Sequence, residues 1–374
     1  MTREEIISGF DTENNIVHIP EEFPEEKARN AVIFAHILKA GGSQAALESL
    51  IPLLIERDCN IYVVTCEDGI YRDRLVENFG ITVVIQNDYV IDEGYRHFLQ
   101  TAFDLVILNA NPSGAFGYYF INTSVPVLYW MHECIRVIAE EAPKYVPHHC
   151  LTSDNFHYLI PWKRTLREFE ECYGRKAMLL PINVEDVRHE RKANDKTVFL
   201  FPGAYMNFKG FPLALEAIFK LPKETFIKCK FIFCGYVVDK KLYEEMRRIA
   251  GNFDNIEVLP DVTREEMQRL QDEADCVVIP SLIDAGPLTA VEGLMHGNLC
   301  IVSDKAGIAD YLTDCVDALV YPGDSTDELY KRMLLAASDI TALKPVAERG
   351  RQVYLNHFTL RQMEECLDEI LENI

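Results

Sequence analysis

Positive charge is scarce in this 374-residue sequence, which has 37 lysines and arginines but 59 aspartates and glutamates and so a net charge of −22. So acidic a surface repels polyanions, which excludes nucleic-acid binding through a broad basic footprint. The segment 162–176 gathers five basic side chains. Such a segment is more often a solvated helix face than a local basic patch. We therefore expect no nucleic-acid partner.

Paired cysteine motifs and long apolar runs are also missing. The 11 cysteines form no Cys-x-x-Cys pair and several lie in apolar runs, which predicts buried thiols in a reducing compartment instead of disulfides. The Pro-His-His-Cys run at 147–150 suggests metal-ligand spacing only weakly, and we expect no metal there. No run approaches the roughly 18 apolar residues of a membrane span, and no apolar signal core opens the sequence. We expect a cytoplasmic location, with peripheral contact at the inner face of a membrane left open.

The Gly-x-Gly-x-x-Gly fingerprint is absent, which disfavours a nicotinamide-dependent oxidoreductase. Gly41 and Gly42 are not followed by Gly-Lys-Ser/Thr, so they do not form a Walker loop. They stand between an apolar run and a helical pattern, where backbone amides can approach an anion or a sugar. Both are candidate binding residues, with a plain turn as the alternative interpretation.

Short apolar runs alternate with helical patterns through most of the sequence. Runs that are apolar at nearly every position are typical of parallel strands buried on both faces, and strand–helix alternation indicates a doubly wound α/β fold. The strand-like runs are 31–38, 60–66, 81–86, 103–110, 125–132, 197–203, 230–235, 256–260, 275–281 and 298–304.

The alternation breaks at residues 181–196, a polar stretch with a proline and a charge run that is predicted to be a linker. We therefore predict two Rossmann-like domains, over 31–180 and 197–355, that face a cleft in which ligands bind. Residues 1–30 have no evident place in either sheet and are interpreted as an N-terminal extension. The segment 356–374 contains an amphipathic helical pattern.

Two acids, Asp284 and Glu292, flank seven uncharged residues directly after a strand-like run. A helix predicted to begin near Pro287 would direct its free N–H groups at the strand ends, where an anion such as a pyrophosphate is stabilised. Gly286 lets a ligand approach the backbone closely. Asp284 can accept hydrogen bonds from a sugar, and Glu292 from a ribose diol. The alternative is a loop acid and a helix-surface acid.

Two further candidates follow strands. Gly203 ends a strand-like run and Lys209 precedes a helix, from which a lysine can reach a phosphate as a point charge. An exposed lysine without a binding role is the alternative. His132 ends another run beside Glu133 and is either structural or, because it faces the predicted cleft, functional.

Together these motifs resemble the retaining glycosyltransferases of family 4, which have the GT-B fold. The resemblance covers almost all of the sequence from residue 31 onward. It is carried by the hallmark of an acid, seven residues and Glu, by the run GLMHGNLCIVSDKAGIADYL that follows, and by DALVYPGD at 317–324.

The resemblance implies a role for each candidate. Glu292 would bind the ribose of a nucleotide-sugar donor, Asp284 would contact the transferred sugar, and Lys209 would neutralise the diphosphate together with the helix start at 287–289. His132 would lie close to the reacting sugar carbon. The catalytic candidates are His132, Lys209 and Asp284, and the donor-binding candidates are Gly41, Gly42, Gly203, Gly286, Leu288, Thr289 and Glu292.

The resemblance also implies an activity. A hexose would move, with retention at the anomeric carbon, from a UDP- or GDP-sugar to a glycan or lipid-linked acceptor, in surface polysaccharide biosynthesis. No protein nucleophile is required and no Asp-x-Asp motif stands out, so we expect neither a cofactor nor an essential metal. The final helix would pack back on the N-terminal domain.

Three positions depart from the family pattern. The first hallmark acid is Asp284, shorter than the usual Glu, and Pro287 removes a backbone donor. Ala204 stands where many members carry an arginine, so one cation of the diphosphate clamp is missing, and Lys163, Arg164 or Lys305 would have to replace it. A catalytically weak partner or chaperone subunit of another glycosyltransferase is therefore one alternative function. A nucleotide-sugar epimerase is another, and the oligomeric state is left open.

Overall fold

The computed structural model describes residues 1–10, 15–39, 41–86, 92–145, 148–188 and 194–374. It divides into two compact units. The first contains Met1–Asn183 together with Met363–Ile374, and the second contains Val184–Gln362. Each unit is built on a single sheet with helices around it.

The first unit has an eight-stranded sheet within the described residues. The strands are β1 (Ile16–His18), β2 (Arg29–Ala35), β3 (Cys59–Thr65), β4 (Thr82–Ile85), β5 (Leu105–Asn109), β6 (Val127–Trp130), β7 (Phe156–Ile160) and β8 (Ala177–Leu179). They pair in the order β1-β4-β3-β2-β5-β6-β7-β8, and all pairs are parallel except β1 with β4. The order therefore reverses between β2 and β5.

Seven helices are described in the N-terminal part of this unit, Met1–Asn183, in addition to a 3-10 helix at Asn111–Phe120. They are α1 (Arg3–Gly9), α2 (Gly42–Glu56), α3 (Tyr71–Phe79), α4 (Glu93–Ala102), α5 (Ile135–Tyr145), α6 (His148–Thr152) and α7 (Lys163–Tyr173). The basic segment of the sequence forms α7, which buries Thr165 and Phe169 and so has one face in the core. Among the basic side chains of this helix, Arg167 is exposed and Lys163 and Arg164 are half-buried, so the solvated face that the sequence favours is present only in part.

The N-terminal residues belong to this unit and not to a separate extension. β1 pairs antiparallel with β4 at the edge of the sheet, and α1 buries Ile6 in the core, where Phe10 lies beside it. The prediction that residues 1–30 lie outside both sheets is therefore wrong. A three-residue strand in a polar stretch carries too few residues to show a period, and its pairing depends on a partner elsewhere in the chain.

The second unit has a six-stranded, fully parallel sheet in the part of the chain that is described. Its strands are β9 (Thr197–Pro202), β10 (Cys229–Gly235), β11 (Ile256–Pro260), β12 (Cys276–Ile279), β13 (Leu299–Ser303) and β14 (Leu319–Tyr321). They pair in the order β11-β10-β9-β12-β13-β14, so the order reverses between β9 and β12. The prediction of two doubly wound Rossmann-like domains is confirmed.

The remaining helices are α8 (Phe211–Phe219), α9 (Lys223–Phe226), α10 (Lys240–Ala250), α11 (Arg264–Glu273), α12 (Leu288–His296), α13 (Thr326–Ser338), α14 (Lys344–His357) and α15 (Leu360–Glu372). Within the described ranges, no helix has both the length and the hydropathy that a membrane crossing requires. Cys229, Cys234, Cys276 and Cys300 are buried and unbridged, as predicted. Burial raises the pKa of the Cys300 thiol to about 12.

The segment between the units was predicted to be a linker over 181–196. Its described residues, 181–188 and 194–196, are neither helix nor strand, and 189–193 lie outside the described residues. Most of α15, from Met363 onward, groups with the first unit, where Arg57 pairs with Asp368 at 2.5 Å and with Glu364 at 3.4 Å.

The loops that follow β9 and β12 are packed tightly against each other. The amide of Leu282 donates to the carbonyl of Phe208 at 2.7 Å. Gly210 has a φ of 75°, and a Cβ atom there would lie 1.8 Å from the carbonyl oxygen of Pro280. Only a glycine combines this left-handed conformation with so close an approach to another backbone.

We expect Gly210→Ala to destabilise the second unit more than Gly297→Ala. Both glycines have a φ of 75°, but a Cβ at Gly297 would meet only the Arg188 guanidinium at ordinary contact distances of 3.5 Å or more. The control should therefore cost about 1–2 kcal/mol for the left-handed backbone. Gly210→Ala should cost about 1–3 kcal/mol more from overpacking. Hydrogen exchange of the second unit would measure both, and equal effects would contradict the packing argument.

Candidate functional site

Most of the sequence-predicted residues lie at the two points where strand order reverses, and His132 follows β6, the neighbour of β5. In the first unit, Gly41 and Gly42 follow β2, which neighbours β5. In the second unit, Gly203 and Lys209 follow β9, and Asp284 follows its neighbour β12. The carboxyl ends of the strands at such a reversal form the crevice in which open α/β sheets bind ligands. Each unit therefore has its own candidate site.

In the second unit, Lys209 and Asp284 form an ion pair although they are far apart in the sequence. Lys209 Nζ lies 2.6 Å from Asp284 Oδ2, and the two side chains are only 21% and 11% exposed. Ser281 Oγ donates to the same oxygen at 3.2 Å. A half-buried, hydrogen-bonded pair of this kind holds a cation in a fixed position. The predicted lysine and hallmark acid are thus brought together.

Glu292 lies in the second turn of α12 and is half-buried, with one of its two carboxylate oxygens shielded from water. Its Oε2 is buried and has no hydrogen-bond partner among the described residues. Desolvation raises the pKa of this carboxyl, and the charge of Arg264 acts in the opposite direction. A buried carboxylate without a partner is costly. Such a group is a candidate for hydrogen bonding to a ligand.

The start of α12 is close to its predicted position. Pro287 is the N-cap residue, α12 begins at Leu288, and no side chain caps its first amides. Thr289 lies in the first turn and Gly286 is half-buried in the preceding loop. This uncapped helix end begins three residues after Asp284. Its free N–H groups therefore follow directly on the loop that carries the acid of the ion pair.

The turn after β9 lies beside the ion pair. A Cβ atom at Gly203 would be 3.7 Å from Lys209 Cδ. Lys305, predicted as one stand-in for the arginine missing at Ala204, pairs with Asp304 at 3.6 Å. Its Cγ lies next to Gly323, after β14, on the side of the sheet away from β9.

In the first unit, Asn109 connects His132 to the start of α2. His132 Nε2 lies 2.8 Å from Asn109 Oδ1, and Asn109 Nδ2 donates to the carbonyl of Ser43 at 3.1 Å. Because the amide nitrogen is used by Ser43, Oδ1 acts as the acceptor and His132 carries its proton on Nε2. No side chain caps α2, whose N-cap residue is Gly41. His132 is therefore linked through Asn109 to Ser43, the residue that follows Gly42.

His132 is held in its neutral form. Burial, and to a lesser degree the charge of His36, lowers its pKa from 6.5 to about 3. Its Nδ1 is buried and has no hydrogen-bond partner in the described part of the chain. The imidazole therefore offers one unused acceptor and no charge at neutral pH.

The structure adds two residues that were not predicted, Asn109 and Ser281. It also assigns Glu133 a backbone role, since Glu133 Oε2 accepts from the amide of His132 at 3.1 Å. Asn109 and Ser281 are buried polar residues at or just after the ends of β5 and β12. A polar residue that closes an apolar run was the available signal for both. The Pro-His-His-Cys run at 147–150, where we expect no metal, lies partly outside the described residues.

Residues 184–353 match the family model described as glycosyl transferases group 1. The matched range spans nearly all of the second unit. The second unit is a group 1 glycosyl transferase domain. The glycosyltransferase resemblance that the sequence indicated is thereby confirmed at the level of group 1, and the narrower resemblance to family 4 stays a prediction.

The similarity to known glycosyltransferases is not limited to this glycosyl transferase domain and covers most of the chain. An uncharacterised glycosyltransferase of Methanocaldococcus jannaschii is 22% identical over 329 residues, or 83% of this chain and 89% of that protein. The structure of Anabaena HepE in complex with UDP and glucose has a TM-score of 0.74 at 14% identity, over 92% of this chain and 100% of that chain. WaaG, a glycosyltransferase involved in lipopolysaccharide biosynthesis, has a TM-score of 0.66 at 16% identity, over 91% and 99% of the two chains. The structural matches establish the GT-B fold.

We expect Glu292→Gln to stabilise the glycosyl transferase domain at neutral pH. Burial raises the pKa, so the folded protein binds this proton more tightly than the unfolded chain does. The stability contributed by the protonated acid is present at low pH and is lost as pH rises from the ordinary value of 4.5 through the raised pKa. Removing the charge should recover about 1–3 kcal/mol at pH 7.

Thermal unfolding between pH 4.5 and 8 would measure this difference. The advantage of Glu292→Gln should shrink toward the acid end of the range. Glu348→Gln, a change at an exposed acid on α14, should show no such trend. A Gln variant that is less stable than the wild type at pH 7 would mean that the ionised carboxylate has a stabilising partner.

We expect Asn109→Asp to make His132 titrate near neutral pH. A carboxylate beside Nε2–H favours the imidazolium and so raises the pKa of His132 from about 3. Nuclear magnetic resonance of the histidine ring carbons between pH 5 and 8 would detect a new titration. His157, whose pKa burial also lowers, serves as a reference in the same spectra. An unchanged His132 signal would place its proton on Nδ1 instead.

Proposed function

We propose that this protein transfers a sugar from a nucleotide-sugar donor, and that the donor binds at the carboxyl ends of β9 and β12. The observation that carries the proposal is Glu292, a half-buried acid whose Oε2 is buried and has no partner among the described residues. It lies one turn inside an uncapped helix that begins beside the Lys209–Asp284 pair. A ribose diol supplies the two hydroxyl donors that such a carboxylate requires.

The charges next to Glu292 fit the rest of a nucleotide sugar. Lys209 and the amides at Leu288 and Thr289 can stabilise the negative charge that develops on a departing diphosphate. Asp284 uses Oδ2 for protein contacts, and its Oδ1 accepts no hydrogen bond from the described residues, so it is available to a sugar hydroxyl. The resemblance to family 4 predicts the same distribution of roles.

The site in the first unit supports a second set of contacts. The unused Nδ1 of His132 can accept a hydrogen bond from a sugar hydroxyl. The uncapped start of α2, at Gly41 and Gly42, offers amides to an anion or to the acceptor. We assign these contacts to the same transfer reaction on the basis of the resemblance.

We further propose a retaining hexosyl transfer without a protein nucleophile, cofactor or essential metal. In this reaction the acceptor hydroxyl attacks on the face from which the diphosphate leaves, and the departing phosphate oxygen takes its proton. HepE was crystallised with UDP and glucose, which supports a UDP-sugar as the first donor to test. WaaG is involved in lipopolysaccharide biosynthesis, which supports a glycan or lipid-linked acceptor and peripheral association with a membrane.

One observation supports a second candidate function. Ala204 leaves the turn after β9 without the arginine of many relatives, and Lys305 lies toward β14. A missing charge donor typically lowers the rate about 10²–10³-fold. The protein would then bind donor weakly and serve as a stable partner of an active glycosyltransferase.

The test is nucleotide release from UDP-, GDP- and ADP-sugars, without acceptor, by the wild type, Glu292→Gln and the exposed control Glu348→Gln. We expect slow release from one donor by the wild type and the control. Glu292→Gln should lose it, because the ribose contact is weakened while the fold is retained. No release and no thermal shift with any donor would favour the partner subunit. A donor converted to another nucleotide sugar without release would favour an epimerase.

A further inference from the structure

The two oxygens of Asp284 have different surroundings. Oδ2 accepts from Lys209 Nζ at 2.6 Å and from Ser281 Oγ at 3.2 Å, whereas no described residue donates to Oδ1. A carboxylate that accepts two hydrogen bonds on one oxygen cannot rotate without losing both. The side chain of Asp284 is therefore fixed by the protein on one edge and open on the other.

Ser281 is held firmly enough to set this orientation. It is 2% exposed and follows β12 by two residues. The loop on either side of it is fastened to the segment that carries Lys209, through the Leu282 amide on the Phe208 carbonyl and the close contact of Gly210 with Pro280. The serine hydroxyl thus sits at a fixed point relative to the lysine backbone.

We propose that Ser281 is a positioning residue that, by orienting Asp284, fixes the ammonium group of Lys209 for a diphosphate. The inference rests on the proposed function, because it assigns Lys209 to the donor diphosphate. The proposal gives the first hallmark acid a second role. Asp284 orients the ammonium group of Lys209 in addition to contacting the sugar. The shorter Asp suits this role, since its Oδ2 reaches both Ser281 and Lys209.

A purely structural role for Ser281 predicts different behaviour. A buried hydroxyl that only donates a hydrogen bond to a neighbouring carboxylate would contribute to the stability of the fold. Its loss would then weaken nucleotide binding to the same degree whether or not Lys209 is present. A positioning role requires that the effect of Ser281 pass through Lys209. The two roles are separated by whether the effect survives when the lysine is removed.

The first experiment measures the position of Lys209 without any substrate. The wild type, Ser281→Ala and Ser281→Thr are treated with an acetylating reagent, and the modification rate of Lys209 is followed by mass spectrometry, with Lys305 as internal reference. An amine held against a carboxylate is shielded, so Ser281→Ala should be modified about three- to tenfold faster, the loss expected for one hydrogen bond. Ser281→Thr keeps the hydroxyl and should restore the wild-type rate.

The second experiment is a double-mutant cycle on affinity for UDP and GDP, measured by calorimetry. Ser281→Ala should weaken the preferred nucleotide about three- to tenfold when Lys209 is present. In the Lys209→Gln background it should change affinity by less than about twofold, because the group through which it acts is gone. Ser303→Ala, which removes a buried serine hydroxyl at the end of neighbouring β13, is the matched control and should leave affinity unchanged.

The outcomes separate this inference from the proposed function. An unchanged modification rate of Lys209 in Ser281→Ala, or an equal effect of Ser281→Ala in both backgrounds of the cycle, overturns the positioning role. A wild type that binds neither nucleotide and releases none from any sugar donor overturns the proposed function. In that case the acetylation rates still decide whether Ser281 positions Lys209.

Discussion

Backbone hydrogen bonding between strands that are buried on both faces is the constraint on which this structure depends. Every N–H and C=O group of such a strand must be paired, and parallel pairing requires a crossover between successive strands. In the second unit all strands therefore run in one direction and end at one edge of the sheet. The loops after β9 and β12 meet there, which brings Lys209 to Asp284 across 75 positions of sequence.

The same burial that stabilises the sheets sets the chemistry of the two candidate sites. It acts on an acid and a base in opposite directions, raising the pKa of Glu292 and lowering that of His132. Both groups are thereby favoured in their neutral forms, and each has one buried atom without a hydrogen-bond partner among the described residues. Polar groups kept in such surroundings lower stability and are typical of sites that bind a ligand.

Most of the sheet framework could be predicted from the sequence, because strands buried on both faces are apolar at nearly every position. Each of the ten strand-like runs overlaps one strand of the structure. The strands that were missed include β1 and β8, which have three residues each and are not fully buried. Their pairing depends on distant partners, and so short a segment carries no period of its own.

The site was predictable in its members but not in its contacts. The spacing between Asp284 and Glu292, and the position of Lys209 before a helix, were visible in the sequence. That Lys209 pairs with Asp284, or that Asn109 orients His132, depends on which strands are neighbours in the sheet. Ser281 and Asn109 could have been singled out as polar residues that close apolar runs, but a serine or asparagine at a strand end is too common to be assigned a partner.

The first unit is discontinuous in the sequence, since Met363–Ile374 complete it after the whole second unit has intervened. During synthesis, residues 1–183 leave the ribosome first and can begin to fold, as N-terminal domains generally do. The helix whose Asp368 and Glu364 meet Arg57 is made only after residues 184–362. The first unit therefore cannot be completed until the second unit has been translated. An expression fragment that ends between the two units would lack the final helix.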